Sequence, residues 1–241
     1  MATRRPERPR RAGAAAALLL LALPGGCAPA PLGPGAQSGE LPAFALPQAE
    51  VMDPRDYHAR DAITYRRLTR ADFRGKAPPA QVAAHADLAG AFTCASIVPQ
   101  GVARAVAEPS AKPGVYVARF EDAVFRAQMD RACSWWNPLS RDLPTEYVLE
   151  HEQIHFALTE LGARHLTRAL REVRVEAGPT DAPAVLERRF QALLNQAREE
   201  LLRTNTEFDR DTSGRYAPER QHEWLVRVER ELAESATREP A

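Results

Sequence analysis

With 241 residues, the chain is long enough for one domain with a sizeable core, and its 32 basic and 32 acidic residues leave no formal net charge. Without the first 26 residues, which carry five Arg and one Glu, 27 basic residues face 31 acidic ones. That mildly acidic balance argues against nucleic acid as a partner, because phosphate binding needs a concentrated basic surface.

Arg4, Arg5, Arg8, Arg10 and Arg11 form a basic head, followed by an apolar run over residues 14–23. The run is too short to span a bilayer as a mature helix and has the anatomy of a secretory signal peptide, residues 1–26. It ends in Leu23-Pro24-Gly25-Gly26-Cys27, small residues directly before a cysteine, as in a lipobox; cleavage there would make Cys27 the lipidated first residue. Pro24 stands where such boxes have an aliphatic residue, and cleavage after Ala30 competes, although Pro31 would then follow the cut. Residues 27–49 are rich in Pro, Gly and Ala without periodicity, which predicts a disordered tether from a lipid anchor to a domain over 50–241. The expected compartment is the cell envelope or periplasm, with the membrane reached only through the anchor.

Within the domain, Ile63-Thr64-Tyr65 and Leu68 predict a short strand running into a turn at Arg74-Gly75, closed by Pro78-Pro79. From 81 to 98, Val82, Ala84, Leu88, Ala91, Phe92 and Ile97 follow no clean period, and strand is the better reading from Ala91 onward. Val115-Tyr116-Val117-Ala118-Arg119-Phe120 is a clearer strand after the turn signal Lys112-Pro113-Gly114. Val124, Phe125 and Met129 lead to Trp135-Trp136, an aromatic block expected in the core. Two cysteines remain after the leader, Cys94 and Cys133; in an oxidising compartment they predict a disulfide rather than metal ligands, since neither sits in a CxxC.

After Pro144 the period changes. Val148, Leu149, Ile154, Leu158, Leu161, Leu166 and Leu170 mark a long helix with Thr145 near its start and Gly162 as a possible bend. A stop at Gly178-Pro179-Thr180-Asp181 precedes a second helix striped by Ala184, Leu186, Phe190, Leu193, Leu194, Leu201 and Leu202. A loop is expected over 209–214, then a third helix facing inward through Trp224, Leu225, Val228 and Leu232. The outline is α+β, a small antiparallel sheet followed by three helices.

The first helix carries His151-Glu152-Gln153-Ile154-His155. Histidines four apart on a helix share one face, the spacing at which two imidazoles ligate one zinc ion. Glu152 sits where it can take a proton from a metal-bound water, the role of the glutamate in HExxH metalloproteases. The alternative is a pair of ordinary surface histidines on an Arg- and Glu-rich helix.

Several stretches together resemble one family, the bacterial predicted zinc-dependent proteases described as domain of unknown function 922. They are Leu68-Thr69-Arg70-Ala71-Asp72-Phe73-Arg74-Gly75, Ala83-Ala84-His85, Ser134-Trp135, the stretch from Glu150 to Phe156, Asp209-Arg210-Asp211-Thr212, and Gln221 with Trp224. The resemblance implies a zincin-like metal helix in a secreted or envelope protease acting on a protein or peptide, with zinc on His151 and His155 and Glu152 as general base. The family pattern Thr-x-His-Gly before the last helix has no counterpart here, because Thr212-Ser213-Gly214 puts Ser where the histidine would fall.

The third ligand is therefore open. His165 lies ten residues beyond His155, about 15 Å along an unbroken helix, and cannot reach the same ion. Glu160 points away from the histidine face, and Glu172 and Glu176 fall on the same helix. Asp209, Asp211 and His222 come from the returning chain, with Asp211 preferred and His222 next.

Overall fold

The architecture is set by the change of period near Pro144: strands with alternating burial before it, three long helices after it. The structure is a computed structural model that describes residues 61–80, 82–101, 103–138, 143–178, 180–213 and 216–237. The signal peptide, Cys27 and the tether lie outside the described residues. The α+β class is as expected; the strand pairing divides into three small antiparallel sheets.

The first sheet has the order β1–β6–β3, with β1 at Ala62–Thr64, β3 at Ala95–Pro99 and β6 at Phe125–Asp130. Phe125, Ala127 and Met129 of β6 point inward while Arg126, Gln128 and Asp130 alternate with them, as the two-residue period of a half-buried strand requires. Ala91–Phe92 (β2) pairs with Trp135–Trp136 (β7), so the aromatic block lies in the core as expected, Trp135 at 5% exposure. A disulfide joins Cys94 to Cys133, with Cα atoms 5.8 Å apart, as expected. The third sheet pairs β4 (Arg104–Pro109) with β5 (Tyr116–Glu121) across a turn in which Gly114 takes a φ of 74°. β8 (Val175–Ala177) joins the other edge of β5, so one short strand returns after the first helix.

α1 (Thr145–Glu172) is the axis of the molecule. Residues 154–161 are buried around its whole circumference, because the sheets cover one side and the other two helices cover the other. It runs through Gly162 unbroken; a Cβ there would stand 3.2 Å from Ile97 Cδ1, so the glycine lets α1 approach β3 closely. β1 ends opposite Gln128, and beyond it α1 supplies acceptors to β6: Ala127 N donates to Glu160 Oε2 (2.9 Å) and Phe125 N to Thr167 Oγ1 (2.8 Å). Gln153 Oε1 accepts from Leu68 N at 2.6 Å, so two of the stretches that carry the family resemblance meet.

α2 (Ala182–Thr212) and α3 (Pro218–Thr237) complete the fold. The expected loop over 209–214 is corrected here: α2 continues through Thr212. Asn205, Phe208, Asp209 and Thr212 recur at three- and four-residue spacing and all are buried, so they form one inward stripe that extends the apolar stripe above it. The Thr212 hydroxyl donates to Phe208 O at 2.7 Å, and Ser213 N caps Asp209 O. The polar composition concealed an amphipathic turn whose buried face is itself polar.

Candidate metal centre

α1 and α2 pack side by side, and the stripe of α2 faces the histidine face of α1. His151 Nε2 and His155 Nε2 are 3.1 Å apart. Asp209 Oδ1 lies 3.1 Å from His155 Nε2 and 3.4 Å from His151 Nε2. Three ligands at about 2.0–2.1 Å from one tetrahedral ion stand about 3.3 Å from one another, so the three atoms are spaced as one face of such a tetrahedron. His151, His155 and Asp209 can hold a metal ion.

Electrostatics and burial agree with a cation at this point. Burial opposes ionisation of Asp209, but His155 and His151 beside it hold its carboxyl well below the usual carboxylate range. Burial opposes a charged His155 ring as well; Asp209, with help from Glu152 and Asn205, outweighs it and holds the imidazole at about 9. Asp209 Oδ2 and Glu152 Oε2 are buried without a hydrogen-bond partner among the described residues. A buried carboxylate oxygen left without a partner is costly unless something positive meets it. His155, Asp209 and Glu152 are 2–3% exposed, whereas the His151 side chain keeps 16%. Access is therefore from the His151 side.

No family model matches this chain, no curated protein matches it, and no solved structure matches it. The chemistry of the site therefore rests on its own geometry.

The surroundings are mixed. The Phe208 ring lies 4.5 Å from the His151 ring and 4.9 Å from that of His155, an apolar wall on the α2 side. His155 Nδ1 meets Asn205 Oδ1 at 2.6 Å, and His151 Nδ1 meets Thr212 Oγ1 at 3.4 Å. Tyr147, one turn before His151, donates its hydroxyl to Thr212 O and accepts from Ala217 N, both at 3.2 Å, so it joins the end of α2 to the start of α3. Gln221 on α3 donates to Tyr147 O and Glu150 Oε1, which fixes α3 against the same turn of α1.

The pair His151 and His155 is brought together as the spacing predicts, with Glu152 buried beside it. The preference for Asp211 is overturned. On a continuous helix, residue 211 is about 200° around from 209, and Asp211 instead accepts from Trp224 Nε1 at 3.1 Å. His222 is exposed on α3, and Glu176 is an exposed residue of β8 paired with Lys112 at 2.6 Å. Neither joins the cluster. Glu160 is away from the histidines, as expected, and serves β6 and Arg164. Asn205, Phe208 and Tyr147 were not singled out from the sequence; the signal that could have found them is the spacing Asn205-x-x-x-Asp209-x-x-Thr212, legible only once α2 is extended.

Proposed function

We propose that this protein is a zinc-dependent metallopeptidase of the cell envelope, acting on a protein or peptide and anchored through Cys27. The observation that carries the reading is the set His151 Nε2, His155 Nε2 and Asp209 Oδ1 at tetrahedral-edge spacing, with Glu152, the residue after His151, buried. Among the described residues no fourth His, Cys, Asp or Glu joins the three, so a coordination position stays open, as in catalytic rather than structural zinc sites. Two imidazoles and one carboxylate also suit iron(II). Zinc is favoured because a carboxylate directly after the first histidine matches metal-assisted hydrolysis. The Cys94–Cys133 disulfide supports an oxidising compartment.

When bound, zinc supplies a Lewis acid that makes a water acidic near neutral pH. Glu152 would accept a proton from the attacking water at its unpartnered Oε2 and return it to the leaving amine as the C–N bond breaks. Asp209 would offset part of a bound ion's charge, and the Phe208 wall keeps bulk water from that side.

The first test is metal content of the purified full-length protein, wild type against His151→Ala. About one zinc per chain, lost in the variant, is expected; iron in place of zinc, or no metal even after incubation with excess zinc, overturns the assignment. Glu152→Gln should retain the zinc and lose about 10²–10⁴-fold in peptide turnover, the usual contribution of a general base. The deep burial of His155 and Asp209 favours one rival, a non-catalytic zinc-binding scaffold. Under it, zinc is held tightly and no peptide is cleaved by either protein.

A further inference from the structure

The two histidines can ligate through Nε2 only if their protons sit on Nδ1, and the α2 stripe carries a device for each. Asn205 Nδ2 donates to Leu201 O at 2.8 Å on its own helix, which turns Asn205 Oδ1 toward His155. The reverse orientation would set the amide oxygen against the Leu201 carbonyl, two acceptors face to face. His155 must therefore donate from Nδ1 to Asn205 Oδ1, which leaves Nε2, facing Asp209 and His151, as the nitrogen whose proton a metal ion would displace. Thr212 works by the same logic. Its only hydroxyl proton goes to Phe208 O at 2.7 Å, so toward His151 Nδ1 it offers an acceptor, at 3.4 Å.

We infer that Asn205 and Thr212 are positioning residues for the metal: each accepts the Nδ1 proton of one histidine and thereby commits that imidazole to Nε2 ligation. Both sit on the helix that supplies Asp209, at positions −4 and +3 from it. One face of α2 thus carries a ligand and the two groups that orient the ligands of α1. Such partners fix ring orientation and tautomer, and their loss costs about 10–100-fold in metal affinity. In both residues the i−4 backbone carbonyl consumes the competing donor, so the helix itself decides the polarity of the contact. This inference rests on the zinc reading of the site and goes beyond it, since a zinc site could exist with either residue idle.

The experiment is competition of the full-length protein against a chelator of known affinity, with Zn²⁺ and with Co²⁺, whose visible bands report ligand geometry. Asn205→Leu, close in size and without an acceptor, should bind each ion about 10–100-fold more weakly and shift the cobalt bands. Thr212→Val should weaken binding in the same direction and Thr212→Ser should recover it; this pair decides the matter if Asn205→Leu fails to fold. Wild-type affinity and unchanged cobalt bands in Asn205→Leu and Thr212→Val overturn the inference and leave the zinc reading standing. A wild-type protein that binds neither ion overturns both.

Discussion

Asp209 and Asp211 are two residues apart, chemically identical, and opposite in consequence. Asp209 is 3% exposed between two imidazoles; Asp211 faces α3 and accepts the indole proton of Trp224. On the proposed zinc reading, Asp209→Ala should therefore lower zinc affinity by more than the 10–100-fold expected for a hydrogen-bonding neighbour of a ligand, because it would remove a ligand outright. Asp211→Asn keeps an acceptor for Trp224 and should leave zinc content unchanged. Metal analysis of both purified variants checks the pair; loss of zinc in Asp211→Asn would return the third ligand to that residue.

At the scale of elements, what the chain disclosed by itself depended on whether apolar residues wrote the pattern. α1 and the first two-thirds of α2 were legible because Leu, Ile and Phe mark their buried faces at helical spacing. β5 was legible from its β-branched and aromatic run after a turn. The last turns of α2 were not, because there three of the four buried positions, beside Phe208, are Asn205, Asp209 and Thr212, residues that in isolation favour turns and caps. The candidate metal site and the missed helical turns are thus one fact: a mainly polar buried stripe lacks the apolar period of a helix, and a reading by hydropathy takes it for a loop. The division into three sheets was equally hidden, because strand pairing is decided by contacts far apart in sequence. Arg210 tests the helix directly. Its side chain is 62% exposed and, among the described residues, its ion pair is a 3.9 Å contact with Asp211, so Arg210→Ala should change stability by less than about 0.5 kcal/mol. Arg210→Pro removes a helical hydrogen bond and sets a ring against the preceding turn, costing about 3 kcal/mol or more, and it should also abolish metal binding by displacing Asp209 and Thr212. Urea unfolding with parallel metal analysis distinguishes this from a loop, in which proline would be tolerated.

Over the whole molecule, α1 is held at both sides of its histidine-bearing turn, by α2 and α3 through Tyr147, Gln221 and Asn205, and by the N-terminal segment through Gln153. The disulfide closes a 39-residue separation that contains β3 to β6, so it restrains the unfolded chain across most of the sheet region. Replacing Cys94 and Cys133 by Ser should cost about 2–4 kcal/mol, read as a lower denaturation midpoint that reductant also produces in the wild type.

The N-terminal segment depends in turn on one carboxylate, and this gives the fold a defined acid limit. Asp72 is 2% exposed; it accepts from Thr69 N and Thr69 Oγ1 and takes both Arg66 guanidinium nitrogens, with Arg131 3.6 Å away. Burial raises its pKa, but these partners outweigh burial and bring the carboxyl down from 3.8 to about 2. A group depressed in the folded state stabilises the fold at every pH above its unfolded value and loses that contribution as pH falls through its folded value. Asp72 therefore contributes about 2 kcal/mol above pH 4, declining between about pH 4 and 2. Because Leu68 docks on Gln153 and Gly75 N donates to Ser134 O at 2.8 Å, protonating Asp72 loosens the strap that joins α1 to β7. Asp72→Asn should be less stable than wild type at pH 7 by about that amount, and the difference should shrink as pH falls toward 2. Urea midpoints of the two proteins between pH 7 and 2.5 check this; a difference that stays constant across the range would show that Asp72 carries no acid-sensitive share of the stability.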